Sequence, residues 1–392
     1  MSEIVAAVTG VGVVAPCGVG RDAFWDGLLG EAASGYQSVQ DWDPSEFYAN
    51  AKEARRHDKF AQFAIVSSTE ALEQAGDLSS YDPSDIAVSY GSGIGGLATL
   101  EAQIGVQIEK GEKRVSPFLV PMMMANAAGA AVSLRHGAKG PCEAIVTACA
   151  AGTHSIGRAL DWIRLGKANA VIAGSAESSL TPTGIAGFKN MTALSKSGDS
   201  KPFDETRDGF VISEGAGTLI LERLDLAEGR GADILGLVIG SGSTADSHHI
   251  TAPSPEGEGA IRCVNRALQD AGISATDVTY VNAHGTSTPL NDRAESNAML
   301  EVFGDHKPAI TSTKGVTGHA LGAAGAMEAV SVILSMQNKK IPATAGLTTV
   351  DPEMPELDFV TEARDWEPGP TISNSFGFGG HNGTVVFAPY KQ

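Results

Sequence analysis

Cys149 stands in TACAAG, residues 147–152, among side chains small enough for another molecule to approach closely. The apolar Ala144–Thr147 before it reads as a strand. Ile156, Ala159, Leu160 and Ile163 after it fall at i, i+3, i+4 and i+7, and Gly166 closes the helix they predict. A cysteine at the head of a helix meets unpaired amides and the positive end of the helix dipole, which favour thiolate over thiol and offer donors to an oxyanion. A buried structural cysteine is the competing reading, and the better one for Cys17, Cys142 and Cys263.

Two more polar clusters bear on the choice. NAHGTSTP, residues 282–289, follows the strand-like Val278–Val281 and delivers His284 into a loop of small polar residues. STKGVTGHALGAAGA, residues 312–326, delivers Lys314 and His319 just before a small-residue helix that runs on to Glu328. A histidine by itself is weak evidence, since satisfied core or surface histidines outnumber catalytic ones.

Two glycine-rich stretches compete for a nucleotide role, GVGVVA at 10–15 and GSGIGG at 91–96, each after a predicted strand. Pro16 and Gly18 stand where the first match needs the opening turns of a helix. The second has Val115, Ser116 and Pro117 where an acidic residue should follow about twenty positions on. Both are read as turns.

The elements that must position these residues alternate between strand and helix. Ile86–Tyr90, Ala144–Thr147 and Ala170–Ala173 read as buried strands, and Glu258–Ala271 as an amphipathic helix ending at Gly272, which makes the class α/β. The run Ile4–Thr9 ends in glycine and Ile234–Ile239 is followed by GSGS at 240–243, so the second half echoes the first. The charged Leu224–Gly231 marks the boundary, giving units 1–230 and 231–392.

A chain of 392 residues exceeds the size at which one core stops growing, in keeping with two units. Its net charge of −18 repels nucleic acid and anionic membranes, so an acidic partner needs a local basic patch. Four cysteines without a CxxC pair or a zinc spacing point to a reducing compartment. The first apolar run, Ile4–Pro16, is broken by Gly10, Gly12 and Pro16, and is expected to be neither signal peptide nor membrane span, leaving the cytoplasm.

TACAAG, SKPFDETRDGFVISEGAG (200–217), NAHGTSTP, KGVTGHALGAAGA and NSFGFGGHNG (374–383) together resemble, in order and spacing, the elongating type II β-ketoacyl-[acyl-carrier-protein] synthases over essentially the whole chain. The resemblance implies a thiolase fold, five αβαβα layers built from two similar halves, and a homodimer. It implies decarboxylative Claisen condensation of an acyl-enzyme with a malonyl-carrier protein in fatty acid elongation, without cofactor or metal. Carried over, it makes Cys149 the nucleophile, His284 and His319 its catalytic partners, Lys314 the active-site lysine and Phe378 a gate whose amide shares the oxyanion hole with that of Cys149. Phe188, Thr286, Thr288, Gly379 and Gly380 fall at substrate-binding positions, and Arg55, Arg56, Lys113, Arg114 and Arg207 near the surface that binds the acyl carrier protein and its phosphopantetheine thioesters.

Gly315, Asn291 and His381 depart from the commonest family wording, which leaves a type II polyketide or specialised lipid pathway as an alternative. A thiolase would need a second catalytic cysteine in the C-terminal half, where Gly and His stand instead. A non-catalytic chain-length-factor subunit would lack Cys149.

Overall fold

The structure, a computed structural model, describes residues 5–391. Eleven of its strands carry the architecture: β1 (Ala6–Ala15), β2 (Ile86–Gly91), β3 (Cys142–Glu143), β4 (Ala170–Glu177), β5 (Gly215–Arg223), β6 (Gly236–Ala245), β7 (Tyr280–Asn282), β8 (Ala309–Thr311), β9 (Asp358–Phe359), β10 (Thr371–Gly377) and β11 (His381–Ala388). They lie in the order β9-β8-β7-β10-β11-β6-β1-β5-β4-β2-β3. Each half repeats one topology. β1 and β5 pair antiparallel, as do β5 and β4, after which β4, β2 and β3 run parallel. In the second half β6, β11 and β10 pair antiparallel, and β10, β7 and β8 run parallel. The half-sheets meet where Ala6–Val8 pair with Gly236–Val238.

The helices that matter for the site are α1 (Lys59–Ala75), α2 (Leu97–Lys110), α3 (Leu119–Met123), α4 (Ala151–Arg164), α5 (Glu258–Ala271), α6 (Pro289–Phe303) and α7 (Ala324–Asn338). α4 and α7 pack on each other and on strands of both half-sheets, forming the middle of the five layers of the thiolase fold. A helix with sheets on both sides must be apolar all round. α7 meets that demand, since every residue from Ala324 to Met336 is buried. The largest apolar cluster runs through this layer, joining Val8, Ile156, Leu219, Val330 and Phe387. Smaller clusters lie beneath α1 and α5 on the outer faces.

The glycines read as turns in β1 and β6 are strand interior. A Cβ on Gly10 would lie 2.0 Å from the Ala71 carbonyl oxygen, and one on Gly12 2.0 Å from that of Ser67, so these positions let α1 touch the sheet backbone. Gly240 and Gly242 do the same for α5, with Cβ positions 2.6 Å from Ala271 N and 2.2 Å from Cys263 O. Close packing, not chain reversal, selects glycine here. Of the run Ile4–Thr9, Ile4 lies outside the described residues, and the strand continues to Ala15. The strand predicted at Ala144–Thr147 does not form: the strand there is Cys142–Glu143, and residues 144–147 have no regular structure. Cys142 is exposed on that edge, not buried as expected. Among the described residues no helix is long and apolar enough to cross a membrane.

Candidate active site

Cys149 sits in a single helical turn, Ala148–Ala150, that opens α4. Ala148 before it has φ 50°, a left-handed conformation that costs a non-glycine residue about 1–2 kcal/mol. The turn aims the cysteine side chain into a cavity of about 450 Å³, also lined by His284, His319, Phe188, Phe210 and Phe378.

His284 follows β7, and its place is fixed by a carboxylate. Both oxygens of buried Glu295, on α6, accept backbone amides, from His284 at 2.8 Å and Gly285 at 2.7 Å. Gly285 carries φ 37°, and a Cβ there would lie 2.5 Å from Ser312 Cβ, so the turn tolerates no side chain. His319 is gripped through its backbone, its N–H donating to Val211 O (2.7 Å) and its carbonyl accepting from Ser213 N (3.0 Å). The long motif at 200–217 is therefore the bracket of this histidine. Phe210 from the same motif meets the His319 ring edge-on at 5.2 Å.

His319 Nε2 lies 3.1 Å from Cys149 Sγ, and the two imidazoles meet edge to face at a centroid distance of 5.4 Å. Lys314 Nζ reaches His284 Nδ1 at 3.4 Å and pairs with Glu328 on α7, with both charged side chains buried. Burial and the Lys314 charge hold both histidines well below their usual pKa, so they are neutral at neutral pH. Glu328 is pushed up to about 7 by burial, against the pull of Lys314.

The thiol departs from the expectation of a standing thiolate. Desolvation pushes Cys149 up to about 11, outweighing the lowering by Lys314 and by the backbone amides of Phe378 and Cys149. Gly377, the residue before Phe378, comes against the Cys149 turn, a Cβ on it lying 3.1 Å from Cys149 N. At neutral pH Cys149 is a thiol beside a neutral imidazole. Cys149, His284 and His319 also place one ligand atom each within 4.8 Å of one another. They are the one such group among the described residues, and an ion held there would occupy the nucleophile.

Of the other expected residues, Phe188, Thr286 and Thr288 line the cavity. Gly379 and Gly380 do not; with φ 83° and 75° they form the β10–β11 turn behind Phe378. Arg55, Arg56, Lys113 and Arg114 are exposed, and the Arg56 guanidinium stacks on the Phe118 ring at 4.9 Å, bringing the two basic clusters side by side. Arg207 departs from expectation. Its side chain is 4% exposed and bound to Asp351 at 2.7 Å, with Asp292 at 3.6 Å, so it braces the 200–217 motif and offers no charge to a partner.

Sequence reasoning missed Glu295, Glu177 and Ile94. Glu177 ends β4, is fully buried, and accepts the amides of Gly93 (2.7 Å) and Gly322 (3.3 Å), tying the Ile94 loop to the loop after His319. A carboxylate closing the otherwise apolar run AVIAGSAE was the available signal.

Two models of the beta-ketoacyl synthase family match the chain, the N-terminal domain over residues 30–227 and the C-terminal domain over residues 235–348. The 3-oxoacyl-[acyl-carrier-protein] synthase 2 of Synechocystis sp. is 42% identical over 98% of both chains. The enzyme of the same name from Staphylococcus aureus (strain MRSA252) is 42% identical over 99% of both. Among solved structures, a type II polyketide ketosynthase in complex with its acyl-carrier protein superposes with TM-score 0.91 at 32% identity, covering all of both chains. A beta-ketoacyl synthase from Burkholderia phymatum gives TM-score 0.90 at 32% identity, covering 99% of this chain and all of that one.

The raised thiol sets an expected pH profile. Thiolate accumulates only as pH climbs toward about 11, so alkylation of Cys149 by iodoacetamide should quicken about tenfold per pH unit between 7 and 9. Peptide mass spectrometry separates it from the exposed Cys142. A rate already level below pH 8 would show a standing thiolate and overturn the account.

Proposed function

The chain belongs to the beta-ketoacyl synthase family and is a 3-oxoacyl-[acyl-carrier-protein] synthase, a condensing acyltransferase of fatty acid elongation, and we propose that Cys149, His284 and His319 perform its chemistry. The observation that carries the assignment is the convergence of a buried thiol, two neutral imidazoles and two backbone amides at one end of the cavity.

In the first half-reaction the Cys149 sulfur attacks an acyl thioester, and the carrier thiol leaves. His319, at 3.1 Å, is placed to receive the cysteine proton and hand it to the departing carrier sulfur, which returns the ring to its neutral form. The amides of Cys149 and Phe378 hold the oxyanion, each such donor being worth about 3–4 kcal/mol. In the second, a malonyl thioester carbonyl accepts hydrogen bonds from His284 and His319. Carbon dioxide departs, the C–C electron pair becomes an enolate, and its carbon attacks the acyl-Cys149 carbonyl, expelling the thiolate. Neutral rings donate to this oxyanion without giving up their protons. Phe378 lines the same cavity as Cys149 and sits on a turn with two positive-φ glycines, which suits a gate on the acyl pocket.

The carrier protein docks, in this reading, on Arg55, Arg56, Lys113 and Arg114. Among the described residues no carboxylate pairs with any of the four. A second copy of the chain covers the opposite resource, an apolar face formed by Ile104, Ile108 and Val120 of α2 and α3 beside the open edge β3. Neither α2 nor α3 buries a single residue within the chain, although both are rich in apolar side chains. The enzyme works in the cytoplasm, a setting that suits its four free cysteines.

Three measurements test this reading. Cys149→Ala is expected to abolish condensation with the fold intact, whereas Cys149→Gln keeps releasing carbon dioxide from malonyl-carrier protein; residual condensation by the alanine variant sinks the nucleophile. Arg56→Glu and Arg114→Glu should each raise KM for carrier-bound substrate several-fold but leave small thioester mimics unaffected, the effect fading above about 0.15 M salt. Unchanged KM at low salt removes the patch. Sedimentation should find a dimer that Ile108→Asp with Val120→Asp dissociates, and a monomeric wild type contradicts the covered face.

A further inference from the structure

The two amides assigned above to the oxyanion come from different halves. One belongs to the turn Thr147–Cys149, which no regular strand supports, and the other to the β10–β11 turn. Their separation must hold to a fraction of an ångström for both to reach one oxyanion. His154, on the first turns of α4, touches both supports. Its Nδ1 lies 2.8 Å from Thr147 Oγ1, two residues before the nucleophile. Its Nε2 lies 3.0 Å from the carbonyl of Asn382, four residues after Phe378, with Ser243 Oγ at 3.1 Å.

The partners fix the tautomer. A carbonyl only accepts, so Nε2 carries the hydrogen, and the bare Nδ1 accepts from the Thr147 hydroxyl. β11 comes flush against the ring: a Cβ on Gly383 would lie 3.0 Å from His154 Cδ2 and 3.1 Å from Nε2. On the other side of the same junction Gly377 is held to a Cβ distance of 3.0 Å from Thr147 O and 3.1 Å from Cys149 N. Burial keeps the imidazole in its neutral form by lowering its pKa.

We infer that His154 is a positioning residue that sets the spacing of the two oxyanion donors by bridging the nucleophile turn to the β10–β11 hairpin. This rests on the reading of Cys149 and Phe378 given above. Malonyl decarboxylation, held by His284 and His319, does not pass through the bridge.

The test compares the two half-reactions in Thr147→Val, an isostere that removes only the hydroxyl, and in His154→Gln. Acyl transfer from acyl-carrier protein onto Cys149, followed by intact-protein mass, should slow about 10- to 100-fold in each, the size expected for a small displacement of reacting groups. The double variant should be no slower than the worse single one, because both changes cut one link. Placed on Cys149→Gln, the same changes should leave malonyl decarboxylation within about twofold and the melting temperature within a few degrees. Acyl transfer within about twofold of wild type in both single variants overturns the inference. So do equal losses in both half-reactions with a lower melting temperature. Wild type must gain the acyl mass and Cys149→Ala must not. Failure of that control sinks the reading of Cys149 and this inference with it, whereas a sound control with fast variants sinks the inference alone.

Discussion

A lysine ammonium buried to 1% exposure sets the terms for everything around it. Taking such a charge out of water costs several kcal/mol unless close partners offset it. Lys314 has Glu328 and the His284 ring, yet one Glu328 oxygen finds no hydrogen-bond partner among the described residues. The field of that charge is what the site gains in return. It adds to burial, the larger cause, in keeping the two imidazoles neutral, and it partly offsets the desolvation of the thiol. Backbone strain at Ala148, Ser287 and Leu321, all at positive φ in loops around the cavity, is a second local cost, and strained residues persist only where their surroundings over-determine them.

The repeated topology explains how the groups meet. In each half, ligand-facing loops follow the C-terminal ends of the parallel strands, where open α/β sheets place their sites. The third strand of the first half leads to Cys149, and the third of the second half to Lys314 and His319. The second strand of each half leads to the Ile94 loop and the His284 loop, respectively. Packing α4 against α7 brings the two sets together, so neither half holds a complete site. Glu177 and Glu295 then lock loop to loop with carboxylates that accept paired backbone amides.

Much of this was legible in the residues. The turn at Cys149, the His284, His319 and Lys314 that the structure gathers beside it, the helices at 156–163 and 258–271 and the echo between halves all left patterns, because helical periodicity and small-residue motifs are local properties. What stayed hidden depends on distant partners. Gly10 and Gly12 look like turn residues until a helix some sixty positions later is seen lying on them. Arg207 looks like surface charge until Asp351 is found beside it. The dipole argument for a thiolate was sound locally but omitted desolvation, which only the assembled cavity supplies.

β1 holds the centre of the sheet, and all ten of its residues are buried. It is also the first strand in chain order among the described residues. Its main partner, β5, pairs Ala6 with Arg223 and Val14 with Ala216, more than two hundred residues downstream. At about 5–20 residues per second a ribosome needs roughly 10–40 seconds to supply that partner. Throughout that interval the nascent chain carries an apolar, β-prone segment paired only at its end, where Val14 and Ala15 meet Val19 and Gly18, the kind of surface that chaperones hold and aggregates recruit. The yield of this enzyme in a cell therefore depends on how the early chain is shielded during translation as well as on the stability of the finished fold.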